Sequence, residues 1–172
     1  FVLEFADIIT THNMNPKGEY KGTTYEYGWN KDGWPASSMR SYLSTDIYNA
    51  LPTDLQGVIV NTKVVSGHGK DDTDNFISTD KLYLLEPKEV YGNNGGTAYS
   101  ATRQLDYYLA QGVTTSNYSR AIKQINGSNS WWWLRAANSS NYDRFYYVSI
   151  NGDWGDDYAH FTVSVSPAFR IA

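Results

Sequence analysis

Apolar positions recur at helical spacing through much of the first two-thirds of the chain and alternate at strand spacing through the last third. Phe1–Phe5 predicts a strand that Ala6–Ile9 extends. Thr10–Gly33, rich in Gly, Asn, Lys and Tyr, predicts a long loop with room for short strands. Pro35–Leu43 predicts a helix with Trp34, Met39, Tyr42 and Leu43 on one side, and Thr45–Leu51 predicts a second. Pro52 ends that helix, and Thr53 caps a third over Asp54–Val60. Lys63–Ser66 predicts a short strand, Gly67–Asn75 a polar excursion, and Lys81–Leu85 a buried strand. Pro87–Val90 predicts a helical turn and Asn93–Gly96 a loop. Ala101–Gln111 predicts a helix with Leu105, Tyr108 and Leu109 inward, stopped by Gly112. Tyr118–Ile125 predicts a shorter helix or turn.

The last third predicts strands at Trp131–Arg135, Phe145–Ile150, Phe161–Val165 and Ala168–Ile171. Asn151-Gly152 is the hairpin turn and Pro167 marks an edge or bulge. Helices in the first two-thirds and antiparallel strands at the C-terminal end make the expected class α+β. No repeat or linker interrupts the chain, so residues 1–172 are expected to form one domain, excised from or part of a larger protein.

Composition narrows the function. The 172 residues suffice for a sizeable core, and 41% hydrophobic and 16% aromatic content excludes a disordered chain. A net charge of −4 with no basic stripe argues against nucleic acid. There is no cysteine, which excludes disulfides, thiolate metal sites and cysteine nucleophiles. No apolar run approaches the roughly twenty residues that cross a bilayer, so no membrane insertion is expected. Fifteen Tyr and six Trp supply amphipathic ring area common at recognition sites.

Five blocks carry a resemblance: DIITTHNMN (7–15), GWPASSMRSYLSTDIYNALPTDLQGVI (33–59), STDKLYLLEPKEVYG (78–92), WWLRAANSSN (132–141) and VSPAFRIA (165–172). Together they resemble bacterial surface-protein domains of the DUF6273 type over nearly the whole chain. Ser166 departs from the run that more often precedes the final Pro-Ala-Phe. The resemblance implies a C-type lectin-like layout, shared with formylglycine-generating enzymes and with variable proteins of diversity-generating retroelements. In that layout an early strand and helices pack on C-terminal strands, the last strand pairs near the first, and loops between the last strands bind ligand. It also implies display on the surface of a bacterium or phage. Formylglycine chemistry needs cysteines that this chain lacks. Ser139–Thr162 is rich in residues that retroelement mutagenesis makes from Asn codons, which implies diversification there.

The candidate site lies in residues 138–162. Asn141, Tyr142, Asp143 and Arg144 form one polar loop, and Asp153, Trp154, Asp156, Asp157, Tyr158 and His160 another. With Tyr147 on the strand between them, they are expected to bind an external glycan or protein. Tyr142 and Trp154 are the expected anchors, and the two loops are expected to converge at one end of the sheet. No catalysis and no cofactor are expected, and the domain is expected to be a monomer. Three bland or competing readings stand beside this one. Trp131–Trp133 suits framework better than a sugar platform. Asp71, Asp72 and Asp74 lack the EF-hand pattern and suit a solvated loop, so no metal is expected. His12, His68 and His160 match no catalytic motif, although Asp156, Asp157 and Glu86 would serve a glycan-acting hydrolase if they met. A structural bead in a surface adhesin or stalk is the other alternative.

Overall fold

A computed structural model describes residues 1–93 and 102–172. Among these, the first strands are β1 (Val2–Glu4), β2 (Thr10–His12), β3 (Gly18–Tyr20), β4 (Thr23–Tyr25), β5 (Ile59–Val60), β6 (Thr62–Ser66) and β7 (Phe76–Asp80). The C-terminal half adds β8 (Lys123–Ile125), β9 (Ser128–Ser130), β10 (Trp132–Ala137), β11 (Arg144–Val148), β12 (Trp154–Tyr158), β13 (Val163–Val165) and β14 (Ala168–Ile171). The main sheet has the order β12-β11-β10-β13-β2, and a second sheet has the order β1-β14-β5. β10 and β13 are parallel, and the other pairs of the main sheet are antiparallel. Three hairpins, β3–β4, β6–β7 and β8–β9, flank the two sheets.

The core gathers on β10, where every residue from Trp132 to Ala137 is buried. Residues covered on both faces need no polar alternation, and this run has none except Arg135. Each fully buried tryptophan places its indole N–H on an acceptor: Trp34 on Asp80 (3.0 Å), Trp132 on Ala121 O (3.1 Å) and Trp133 on His12 O (3.1 Å). Arg135 donates to Leu84 O, Val65 O and Glu89, which ties β10 to two other segments. Its charge is thereby paired inside the core, as a buried ion must be.

This architecture overturns the α+β expectation, and with it the C-type lectin-like sequence of helices followed by strands. Among the described residues 33% are strand and 21% helix, and the longest helical run is 13 residues. That run, Ser38–Ala50, is continuous through a π-helical turn at Leu43–Ile47, where two helices were expected. Strands also begin early, since the Thr10–Gly33 stretch holds β2, β3 and β4. Helical spacing of apolar residues misled because a short segment packing one side on a sheet shows the same pattern as a longer helix.

Smaller corrections follow the same logic. Lys81–Leu85 is largely buried as expected, but the strand is the preceding Phe76–Asp80, which pairs with β6. Thr53 opens the third helix rather than capping it, with Pro52 at the cap and Val58 the last helical residue. The predicted 101–111 helix covers only Asp106–Ala110, Leu109 is 61% exposed, and Ala101 lies outside the described residues, as does most of the predicted 93–96 loop. Asn126-Gly127 turns a β8–β9 hairpin, with Gly127 at φ +78°.

Candidate functional site

The β11–β12 hairpin organises the C-terminal face. Ser149 N–H donates to Asp153 O (2.7 Å), and Gly152 takes φ +93° in the turn, which an L side chain resists. Strand alternation then sorts the residues. Arg144, Tyr146, Trp154, Asp156 and Tyr158 share one face, while Phe145, Tyr147, Gly155 and Asp157 share the other. The second predicted loop is largely β12 itself, so one end of it meets the first loop and the other does not. Arg144 pairs with Tyr158 at the open end, whereas Val148 pairs with Trp154 at the turn. Four residues at roughly 3.3 Å each put about 13 Å between them.

At the open end, Arg144, Asp156, Tyr158 and His160 come together. The Arg144 guanidinium lies 4.4 Å from the Tyr158 ring centroid and 3.1 Å from Asp156. Burial opposes its charge, but hydrogen bonding to Tyr158 and Asp156 outweighs that and raises its pKa. Tyr158 stacks on Tyr27 at 4.4 Å. His160 Nδ1 lies 3.0 Å from Tyr27 O, and its ring packs on Phe161 at 4.5 Å.

Tyr142 extends the face on the other side. It is 49% exposed and sits 6.3 Å from Tyr25, which is 6.3 Å from Trp29. Trp29 in turn stacks on Tyr20 at 4.7 Å. An open cleft of about 480 Å³ lies here, lined by Thr23, Thr24, Tyr25, Lys31, Asp71 and Tyr142.

Asn30 holds this loop in place. Fully buried, its side-chain amide donates to Asn141 O (2.8 Å), Arg144 O (2.9 Å) and Asn138 O (3.3 Å). Its backbone N–H donates to Tyr142 O (2.9 Å). Gly69 backs it so closely that a methyl there would run into the Asn30 amide. Lys70 N–H donates to Asn141 O (3.0 Å), and Asp72 accepts from Asp32 N–H (3.0 Å). The acidic loop therefore buttresses the face, and among the described residues no group of three His, Asp or Glu side chains could hold a metal ion.

Several predicted site residues lie elsewhere. Asp153 accepts from Ser149 Oγ in the turn, and Trp154 packs half-buried against Tyr146 (5.6 Å) and the core. Tyr147, on the opposite face, stacks with Trp131 at 4.8 Å, and burial raises its pKa. Asp157 shares that opposite face and accepts from Tyr158 N–H (2.8 Å). Asp143 is 6% exposed, and burial pushes its carboxyl pKa up. Asn141 is half-buried, with its carbonyl committed to Asn30 and Lys70. The three hydrolase carboxylates point apart: Asp156 and Asp157 project to opposite faces, and Glu86 is buried against Gly67 N–H (2.8 Å).

Tyr20, Tyr25, Tyr27, Trp29, Asn30 and Phe161 were missed as members of the site. The ring density of YKGTTYEYGW at 20–29 is the sequence signal for the first four, and nothing local marks Asn30 or Phe161. No helix among the described residues is long and apolar enough to cross a membrane.

The family described as "Domain of unknown function (DUF6273)" matches residues 7–172. No curated protein and no solved structure matches the chain.

Proposed function

We propose that this chain, which belongs to the DUF6273 family, recognises an external glycan or protein without catalysis. The binding face is the surface where Tyr27, Tyr142, Arg144, Asp156, Tyr158 and His160 lie, and the setting is display outside the cell. One observation supports this reading above the others. Rings from separate segments are held against one another where they meet solvent: Tyr27 stacks on Tyr158, both half-buried, and the buried Tyr25 backs the exposed Tyr142. Tyr142 and Phe161 remain 49% and 41% exposed. Stacked, pre-ordered rings offer contact area at low entropic cost, and the Arg144–Asp156 pair supplies directional hydrogen bonds. The divergent carboxylates weigh against a hydrolase. Retroelement diversification of residues 139–162 would vary Tyr142, Arg144, Asp156 and Tyr158 while leaving Asn30 and Gly69 beneath them constant.

The test is a glycan-array and host-protein screen of the purified chain with and without EDTA, repeated with Tyr158→Ala and Arg144→Ala. Each variant should weaken a hit at least tenfold while its melting transition stays cooperative, and EDTA should leave the hit intact. Binding that survives both substitutions would place recognition elsewhere. A screen without any hit would favour a structural module.

A further inference from the structure

Away from this face, the second sheet has an open edge. Among the described residues, β1 pairs with β14 on one side only. Phe5 N–H donates to Pro167 O (3.1 Å) and Phe1 O accepts from Ile171 N–H (3.3 Å), so the odd-numbered residues of this strand bond inward. Antiparallel alternation then turns the backbone N–H and C=O of Val2 and Glu4 to the outside. Neither makes a further backbone bond among the described residues.

A groove borders that edge. One part, of about 400 Å³, runs between β1 and Arg103, Tyr107 and Arg170. The other, of about 300 Å³, runs between β1 and Tyr107, Arg120 and Lys123. Val2, Leu3, Glu4 and Tyr107 line both parts, which makes the groove continuous. Leu3 and Tyr107 show apolar surface to solvent, at 41% and 57% exposure. Lys123 pairs with Glu4 (3.5 Å) and Arg103 with Asp106 (2.6 Å). Arg120 and Arg170, at opposite ends, have no carboxylate partner among the described residues. A chain of net charge −4 thus carries unpaired positive charge at both ends of one groove of mixed polarity beside a strand edge that is unpaired among the described residues.

We infer that this groove takes an extended acidic peptide segment of a partner protein, added as a further strand along β1. Main-chain hydrogen bonds to Val2 and Glu4 supply affinity, apolar side chains of the peptide pack on Leu3 and Tyr107, and its carboxylates meet Arg120 and Arg170. Edge strands left open in this way are ready templates for such pairing.

The experiment measures polarisation of a fluorescein-labelled hexapeptide of alternating Glu and Val on the purified chain, with a Lys-Val hexapeptide as control. The acidic peptide should bind and the basic one should not, with affinity falling as salt rises. Val2→Pro removes an outward-facing N–H and part of a half-buried side chain at the edge of the core, so it should abolish binding while the melting transition stays cooperative and falls only slightly. Arg120→Glu should weaken binding at least tenfold, and it lies outside every strand of the sheet. Absence of acidic-peptide binding, equal binding of the basic peptide, or indifference to both substitutions would overturn the assignment. Dimerisation of the chain that Val2→Pro prevents would overturn it in favour of a second copy. Tyr158→Ala, which tests the ring face, should leave peptide binding unchanged, so the two readings fail separately.

Discussion

Removing the Asn30 side chain should loosen the 138–144 loop and cost more stability than its size suggests. The amide has two hydrogens and three carbonyls within reach, at 2.8, 2.9 and 3.3 Å, on Asn141, Arg144 and Asn138. Two hydrogens serve two acceptors fully, so the third contact is a shared one. Asn30 has no solvent exposure, and each carbonyl it serves also accepts a backbone N–H: Lys70 on Asn141 O, Asn138 on Arg144 O and Asn141 on Asn138 O. The substitution removes two full hydrogen bonds without stranding an acceptor, each worth about 0.5–1.5 kcal/mol, so Asn30→Ala should cost about 1–3 kcal/mol. A domain of this size holds roughly 5–15 kcal/mol, so the variant should still fold. Urea unfolding followed by tryptophan fluorescence gives the loss directly. Amide exchange at residues 138–144 should accelerate in the variant before the main sheet opens. A loss under about 0.5 kcal/mol, with exchange unchanged across 138–144, would refute the pinning role. Asn30→Asp sharpens the test, because it keeps the shape while removing both donors and placing a carboxylate among carbonyl oxygens.

Two further outcomes follow from buried groups. Burial pushes the Glu86 carboxyl up to about 7, against the opposing pull of Arg135 and the Gly67 N–H. The folded chain therefore holds this proton more tightly than the unfolded chain, so the contribution is complete below about pH 4.5 and is lost as pH rises to about 7. The difference is worth about 3 kcal/mol, and Glu86→Gln should flatten the stability profile across that window when urea midpoints are compared at pH 5 and pH 8; an unchanged slope would refute it. Gly152→Ala should destabilise by about 2 kcal/mol or more, because its methyl would run into Tyr118 O and its φ is +93°; a melting temperature within 1 °C of the parent, an outcome roughly below 0.5 kcal/mol, would show that the turn relaxes.

Much of the strand framework was legible in local sequence, and the site was legible only in part. The apolar run at Trp132–Ala137, the Asn151-Gly152 turn and the closing strand Ala168–Ile171 each act within a few residues, so neighbouring identities were enough. That Arg144, Asp156 and Tyr158 share a face also follows from period two, once the hairpin register is set. The fold class did not follow, because an apolar stripe on a short segment fits a helix or a covering strand equally until its partner is known. β7 pairing with β6, and β14 pairing with β1, depend on contacts across the chain. The choice among polar residues was likewise tertiary. Nothing local distinguishes Asp143, which is buried, from Tyr142, which is exposed. Nothing local marks Asn30, whose amide reaches 108 to 114 residues along the chain. Hydrophobic periodicity and turn chemistry marked the strands at Trp132–Ala137, Arg144–Val148 and Ala168–Ile171, and the packing of distant segments decided the remaining strands and which side chains meet at the surface.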